Sequence, residues 1–188
     1  MPTPYESLPL GLLYNRDLDQ LTSLQGQLEQ TESARVVTGL VRTSGLRTLG
    51  PAFERLVRAG HLVLVTGSRR DQLTREVIQW FHERGQSDSL RRVDPNLGLV
   101  HAGAWWFHHG VTRPAWAVMG SAHLTRSAYR RNIELGASFP LPPGSPTTQS
   151  LQNFFDWLIR SSLPAIGFHD TYASEQEVGD DEPARSGP

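Results

Sequence analysis

The sequence predicts an α/β domain: a mixed, largely parallel sheet flanked by helices on both faces. Short apolar, β-branched runs alternate along the chain with amphipathic segments of helical period. Glycine, proline and capping residues punctuate the junctions between them. With 188 residues, 38% of them hydrophobic, the chain is long enough to bury one core without disulfide staples.

Taken in order, residues 1–14, with Pro2, Pro4 and Pro9, read as an irregular arm. Residues 17–29 are expected to be helical, because Leu18, Leu21, Leu24 and Leu28 recur at helical spacing. Residues 35–41 form a short apolar run, read as a buried strand. A helix is expected over 50–59, with Phe53, Leu56 and Val57 on one face and Gly60 closing it. Residues 61–66, His-Leu-Val-Leu-Val-Thr, are the clearest strand. Asp71 is expected to cap a helix reaching about Arg84, with Leu73, Val77, Ile78 and Phe81 facing inward. Residues 91–93, 99–108, 115–119 and 132–139 read as strands, and 140–146 as a turn-rich connector. Residues 150–161 make an amphipathic helix carrying Phe154, Phe155 and Trp157. The composition after His169 is that of a disordered tail, so the expected organisation is arm 1–14, domain 15–169 and acidic tail 170–188.

Composition narrows the function classes. The chain has no cysteine, which excludes a disulfide framework and thiolate chemistry. No apolar run approaches the length that crosses a bilayer, and the first residues lack a signal-peptide pattern, so a cytoplasmic protein without membrane attachment is expected. The formal net charge is -1, but five acidic side chains between Glu175 and Glu182 face only Arg185 in the tail. The rest of the chain is therefore basic, at about +3. All of its cations are arginines, eleven of them between Arg35 and Arg92, and guanidinium suits bidentate contact with phosphate. A composition that writes arginine for lysine on any surface gives the same count.

Two segments carry chemistry. One is His101-Ala102-Gly103 within the run 99–107; the other is Gly120-Ser121-Ala122-His123, continuing to Asn132-Ile133-Glu134. Strand alternation sends His101 and Gly103 to one face. The turn after the next strand would bring Ser121 and His123 to the same sheet end, and Glu134 could return to that rim after an intervening helix. His108 and His109, adjacent on a strand, point to opposite faces and do not suit one metal ion. Trp105, Trp106, Phe107 and Trp116 read as core or interface residues rather than as platforms for bases. Gly67-Ser68-Arg69-Arg70 lacks the glycine pattern and lysine of a phosphate-binding P-loop, and reads as a strand-to-helix loop whose Arg69 and Arg70 can contact nucleic acid.

In order and spacing these segments resemble the phospholipase D superfamily, which carries His-x-Lys on a strand, then Gly-Ser-x-Asn, then an acidic residue about eleven positions on. The similarity covers roughly residues 34–160 and is greatest to the branch with one motif per chain, which includes metal-independent restriction endonucleases. The resemblance implies a half-site domain of that fold and a second copy or partner chain that completes the site. It implies a nucleophilic His101 that forms a phosphohistidine, Glu134 orienting the imidazole, and no metal or other cofactor. Two positions depart from the pattern: Gly103 stands where the family has lysine, and His123 where it has asparagine. Each loss removes a donor to the transition state, worth on the order of 10²–10³ in rate. An imidazolium at His123, or the cations Arg126, Arg130 and Arg131 just beyond it, could compensate.

Two functions are carried forward. One is a metal-independent phosphodiesterase acting on nucleic acid, DNA before RNA, with weakened activity. The other is a degenerate pseudonuclease that binds nucleic acid or serves as a scaffold in a bacterial defence or DNA-processing complex.

Overall fold

The computed structural model describes residues 10–14, 19–69 and 71–166. The acidic tail, the first nine residues and Arg70 lie outside them. The chain order is β1 (Gly11–Tyr14), α1 (Asp19–Gln30), β2 (Ser33–Thr38), α2 (Thr43–Thr48), α3 (Pro51–Arg58), β3 (Leu62–Thr66), α4 (Arg75–His82) and β4 (Leu90–Val93). It continues through β5 (Gly103–His108), β6 (Ala115–Gly120), α5 (Arg126–Arg130), β7 (Leu135–Leu141), α6 (Pro146–Arg160) and β8 (Ser162–Pro164).

All eight strands join one mixed sheet in the order β1-β7-β6-β5-β2-β3-β4-β8. Parallel pairing is confined to β2–β3 and β3–β4, whereas β5, β6, β7, β1 and β8 add antiparallel, so the parallel share is smaller than expected. Connection length accounts for the two parallel pairs and for the reversal between β5 and β6. The helices α2 and α3 cross β2 over to β3, and α4 crosses β3 over to β4, whereas short turns lead from β5 to β6 and force reversal.

Alternation along each strand splits the apolar side chains between two layers. Val36, Leu64, Trp105 and Val118 pack under the first five helices, against Leu24 and Leu28 of α1, Phe53 of α3, Phe81 of α4 and Tyr129 of α5. Their neighbours Val37, Val65, Ala104 and Ala117 face the opposite side, against Leu151, Phe155 and Leu158 of α6. Trp105 and Phe107 are therefore core residues, stacked with ring centroids 5.4 Å apart. Trp116 is partly buried and donates to Ser138 Oγ at 3.1 Å.

Several boundaries differ from the sequence reading. Residues 11–14, expected in an irregular arm, form β1 on the edge of β7, since a tertiary partner supplies the backbone hydrogen bonds that a local pattern does not reveal. Thr74, not Asp71, occupies the N-cap position of α4. Residues 71–73 are held out of the helix because Leu73 bridges to Val41 and the Gln72 amide donates to Val100 O at 3.3 Å. The strand expected over 99–108 starts only at Gly103. The helix expected from residue 150 starts at Pro146, with Ser145 Oγ accepting from Thr148 N–H at 3.2 Å. Among the described residues, no helix is long and apolar enough to cross a membrane.

Candidate active site

The antiparallel order gathers the sequence motifs. Thr38 at the end of β2 pairs with Gly103 at the start of β5, and Gly120 at the end of β6 pairs with Gly136 near the start of β7. The segment bearing His101, the Gly120–His123 turn and Glu134 consequently share one rim of the sheet.

The turn is held from several sides. Ser121 N–H donates to Leu135 O at 3.0 Å, and its hydroxyl accepts from Leu135 N–H at 3.2 Å while donating to Glu134 in a short hydrogen bond. The second Glu134 oxygen accepts from Asn132 Nδ2 at 3.1 Å, and the residue is only 8% exposed. A carboxylate placed there needs such donors, because an uncompensated buried charge is costly. Beside it lies Tyr129, fully buried; burial and then the Glu134 charge push its hydroxyl far above the usual tyrosine range.

Leu124 N–H reaches Leu40 O at 3.0 Å and Thr38 Oγ1 at 3.3 Å, and Val41 bridges to Leu124. His123 is half-buried. Burial lowers its pKa below the ordinary histidine value; the Glu134 carboxylate pulls it back up and nearby His101 pushes it further down.

His101 is solvent-exposed and lies in the segment before β5, not on the strand itself. Neither oxygen of Glu134 is hydrogen-bonded to it; they are taken by Ser121 and Asn132. His101 stands at a cleft of about 770 Å³ between the sheet and α6, walled by Gly103, Met119, Phe139, Leu151 and Phe154.

Gly103 is required by close approach. A Cβ there would sit 2.5 Å from Gly120 O and 3.2 Å from Ala122 O, so no side chain enters without parting β5 from the turn. The absence of a cation at this position is built into the backbone.

Arg126, Arg130 and Arg131 are exposed, on and just after α5. Arg69 is exposed in the loop after β3, with its Nε 3.2 Å from Asp71. Sequence reasoning missed Thr38, Gly39, Arg42 and Gln72, which brace the rim. Arg42 donates to Asp71 O at 2.8 Å, tying two loops together, and Gln72 holds the carbonyl next to His101. One signal was available: β2 and β3 both end in Val-Thr, each followed by glycine, at the same sheet edge.

No protein-family model matches the chain, and no curated protein matches it in sequence. Solved structures do. NucT from Helicobacter pylori is similar at a TM-score of 0.61 and 12% identity, over 84% of this chain and 99% of that one. The phospholipase D family member Nuc from Salmonella typhimurium matches at 0.60 and 14% identity, over 83% of this chain and 97% of that one. Phosphatidylserine synthase from Haemophilus influenzae Rd KW20 matches at 0.59 and 15% identity, over 83% of this chain but only 39% of that one. The fold is therefore phospholipase D-like.

Proposed function

We propose that the chain is a metal-independent phosphodiesterase that cleaves nucleic acid through a phosphohistidine on His101. The observation that carries this reading is the convergence of His101, Ser121, His123 and Glu134 on one rim of a phospholipase D-like sheet. An exposed imidazole at a cleft mouth is accessible to a phosphodiester and needs no metal to attack phosphorus. The exposed guanidinium groups of Arg69, Arg126, Arg130 and Arg131 suit a polyanion better than a small neutral substrate. With no cation at Gly103, activity is weak, by on the order of 10²–10³ relative to a site with that donor.

The same reading takes the chain as a homodimer. Leu12, Met119 and Leu135 are 67%, 41% and 63% exposed, and strand register puts all three on the α6 side of the sheet, near the rim. A contiguous exposed apolar patch of this kind suits a second copy.

A second reading, a pseudonuclease that holds nucleic acid or a partner protein, is favoured by one observation: the close approach at Gly103 leaves no room for the missing cation.

The deciding experiment is cleavage of labelled single- and double-stranded DNA and RNA in excess EDTA, comparing the native chain with His101→Ala. Cleavage that survives EDTA and disappears with His101 is the expected result. Binding without cleavage by either protein would establish the second reading instead.

A further inference from the structure

His123 occupies the position where the motif pattern has an amide donor, and its surroundings give it a different chemistry. Thr38 is 2% exposed, and its hydroxyl has a single proton, donated to Leu40 O at 3.0 Å. Toward Leu124 N–H at 3.3 Å and His123 Nδ1 at 3.5 Å, the same oxygen can therefore only accept. This places the proton of a neutral His123 on Nδ1 and leaves the lone pair on Nε2. The ring is also seated against Gly39, where a Cβ would lie 2.9 Å from His123 Cε1. A neutral imidazole in this tautomer cannot donate from Nε2 to a phosphate oxygen as an asparagine amide does. It can exchange a proton there.

We propose that His123 is the proton-transfer partner of His101 within the same chain, with Thr38 as the positioning residue that sets its tautomer. This rests on the phosphodiesterase reading and adds the identity and source of the second histidine. As the His101 nitrogen forms its bond to phosphorus and the P–O bond breaks, Nε2–H of protonated His123 gives its proton to the leaving oxygen. Water then attacks phosphorus, the N–P bond breaks, and the proton lost by water returns to His123 Nε2. The groups that bear on His123 are Glu134, which favours its charged form, and His101, which disfavours it. Burial of the ring lowers its pKa and keeps the acid form scarce at neutral pH, so leaving-group departure slows as pH rises, from a point below the ordinary histidine value.

The test compares a nucleic acid with a nucleoside p-nitrophenyl phosphodiester, whose leaving group departs without a proton. His123→Asn is expected to lose on the order of 10²–10⁴ in cleavage of the nucleic acid. It should still release the first equivalent of p-nitrophenolate within a few-fold of the native rate. Equal losses on both substrates, or none on either, would overturn the proposal. Mixing His101→Ala chains with His123→Ala chains is expected to restore nothing, because the pair acts in one chain; regained cleavage would place the pair across two chains and refute it. The ¹⁵N resonances of His123 give a readout that does not need catalysis. Nδ1–H is expected in the native chain, a shift toward Nε2–H in Thr38→Val, and restoration in Thr38→Ser. An Nε2–H native ring would refute the tautomer and the proposal with it. If cleavage requires His101 but not His123, this inference falls while the phosphodiesterase reading stands. If the native chain cleaves neither substrate, both fall.

Discussion

At Gly103 the contest is between charge and space. In the proposed phosphodiesterase a lysine there would supply a transition-state donor, but its Cβ would lie 2.5 Å from Gly120 O. We expect Gly103→Ala to cost about 1–3 kcal/mol, seen as a lowered Tm in thermal melts. Gly103→Lys should melt earlier still and restore no cleavage; a gain in rate would contradict the close approach. The half-buried histidines are a second contest, between burial and the proton. Burial depresses His123, and also His109, below the ordinary value of 6.5. Around and below that value the unfolded chain binds more protons than the folded one, so stability rises with pH. The contribution is present above 6.5 and is lost as pH falls through 6.5 towards the folded values. Thermal melts between pH 5 and 8 should show Tm falling on the acid side, and His123→Asn should flatten part of that slope.

Among the elements, α6 carries an unequal share. It is the only helix packed against its face of the sheet among the described residues, and it walls the cleft beside His101. Two contacts of different kind help to fasten it. Phe155 is fully buried, with its ring edge-on to Trp106 at 6.2 Å between centroids. Asp156 meets Arg35 of β2 at 2.6 Å, and Arg35 also lies over Trp106 at 5.8 Å. The side chains of the ion pair are 39% and 33% exposed, so solvent screening limits it to about 0–1 kcal/mol. Deleting a buried phenyl ring costs about 3–5 kcal/mol. In urea denaturation Phe155→Ala is therefore expected to be severely destabilised and Asp156→Asn nearly neutral. The reverse ranking would mean that the ion pair, not packing, holds α6.

For the whole molecule, the sheet edge matters most. β1 extends the sheet beyond β7 and leaves Leu12 and Leu135 facing solvent beside Met119. If a second copy covers this patch, light scattering at micromolar concentration should give twice the chain mass, and Leu135→Glu should reduce it to one. A native monomer would remove the dimer from the proposed function without touching the histidine pair. The basic surface operates at the same scale: cleavage or binding should weaken steeply with added salt, as phosphate contacts by exposed arginines require.

What the sequence determined by itself was the layering and the order of the chemical groups. Leu24, Leu28, Phe53, Phe81 and the run 61–66 announce their elements because burial imposes periods of 3.6 and 2 on any chain that folds this way. The order and spacing of His101, Ser121, His123 and Glu134 along the chain were legible as well, but it is the antiparallel pairing of β2, β5, β6 and β7 that brings them to one rim. The tertiary structure alone decided where β1 pairs, how far the parallel pairing extends, and why residue 103 is glycine, since each depends on a partner strand far away in sequence. It also decided the surroundings of His123. The Thr38 hydroxyl and the Gly39 backbone reach that ring from 85 and 84 positions away, and no local pattern records a contact made across a sheet.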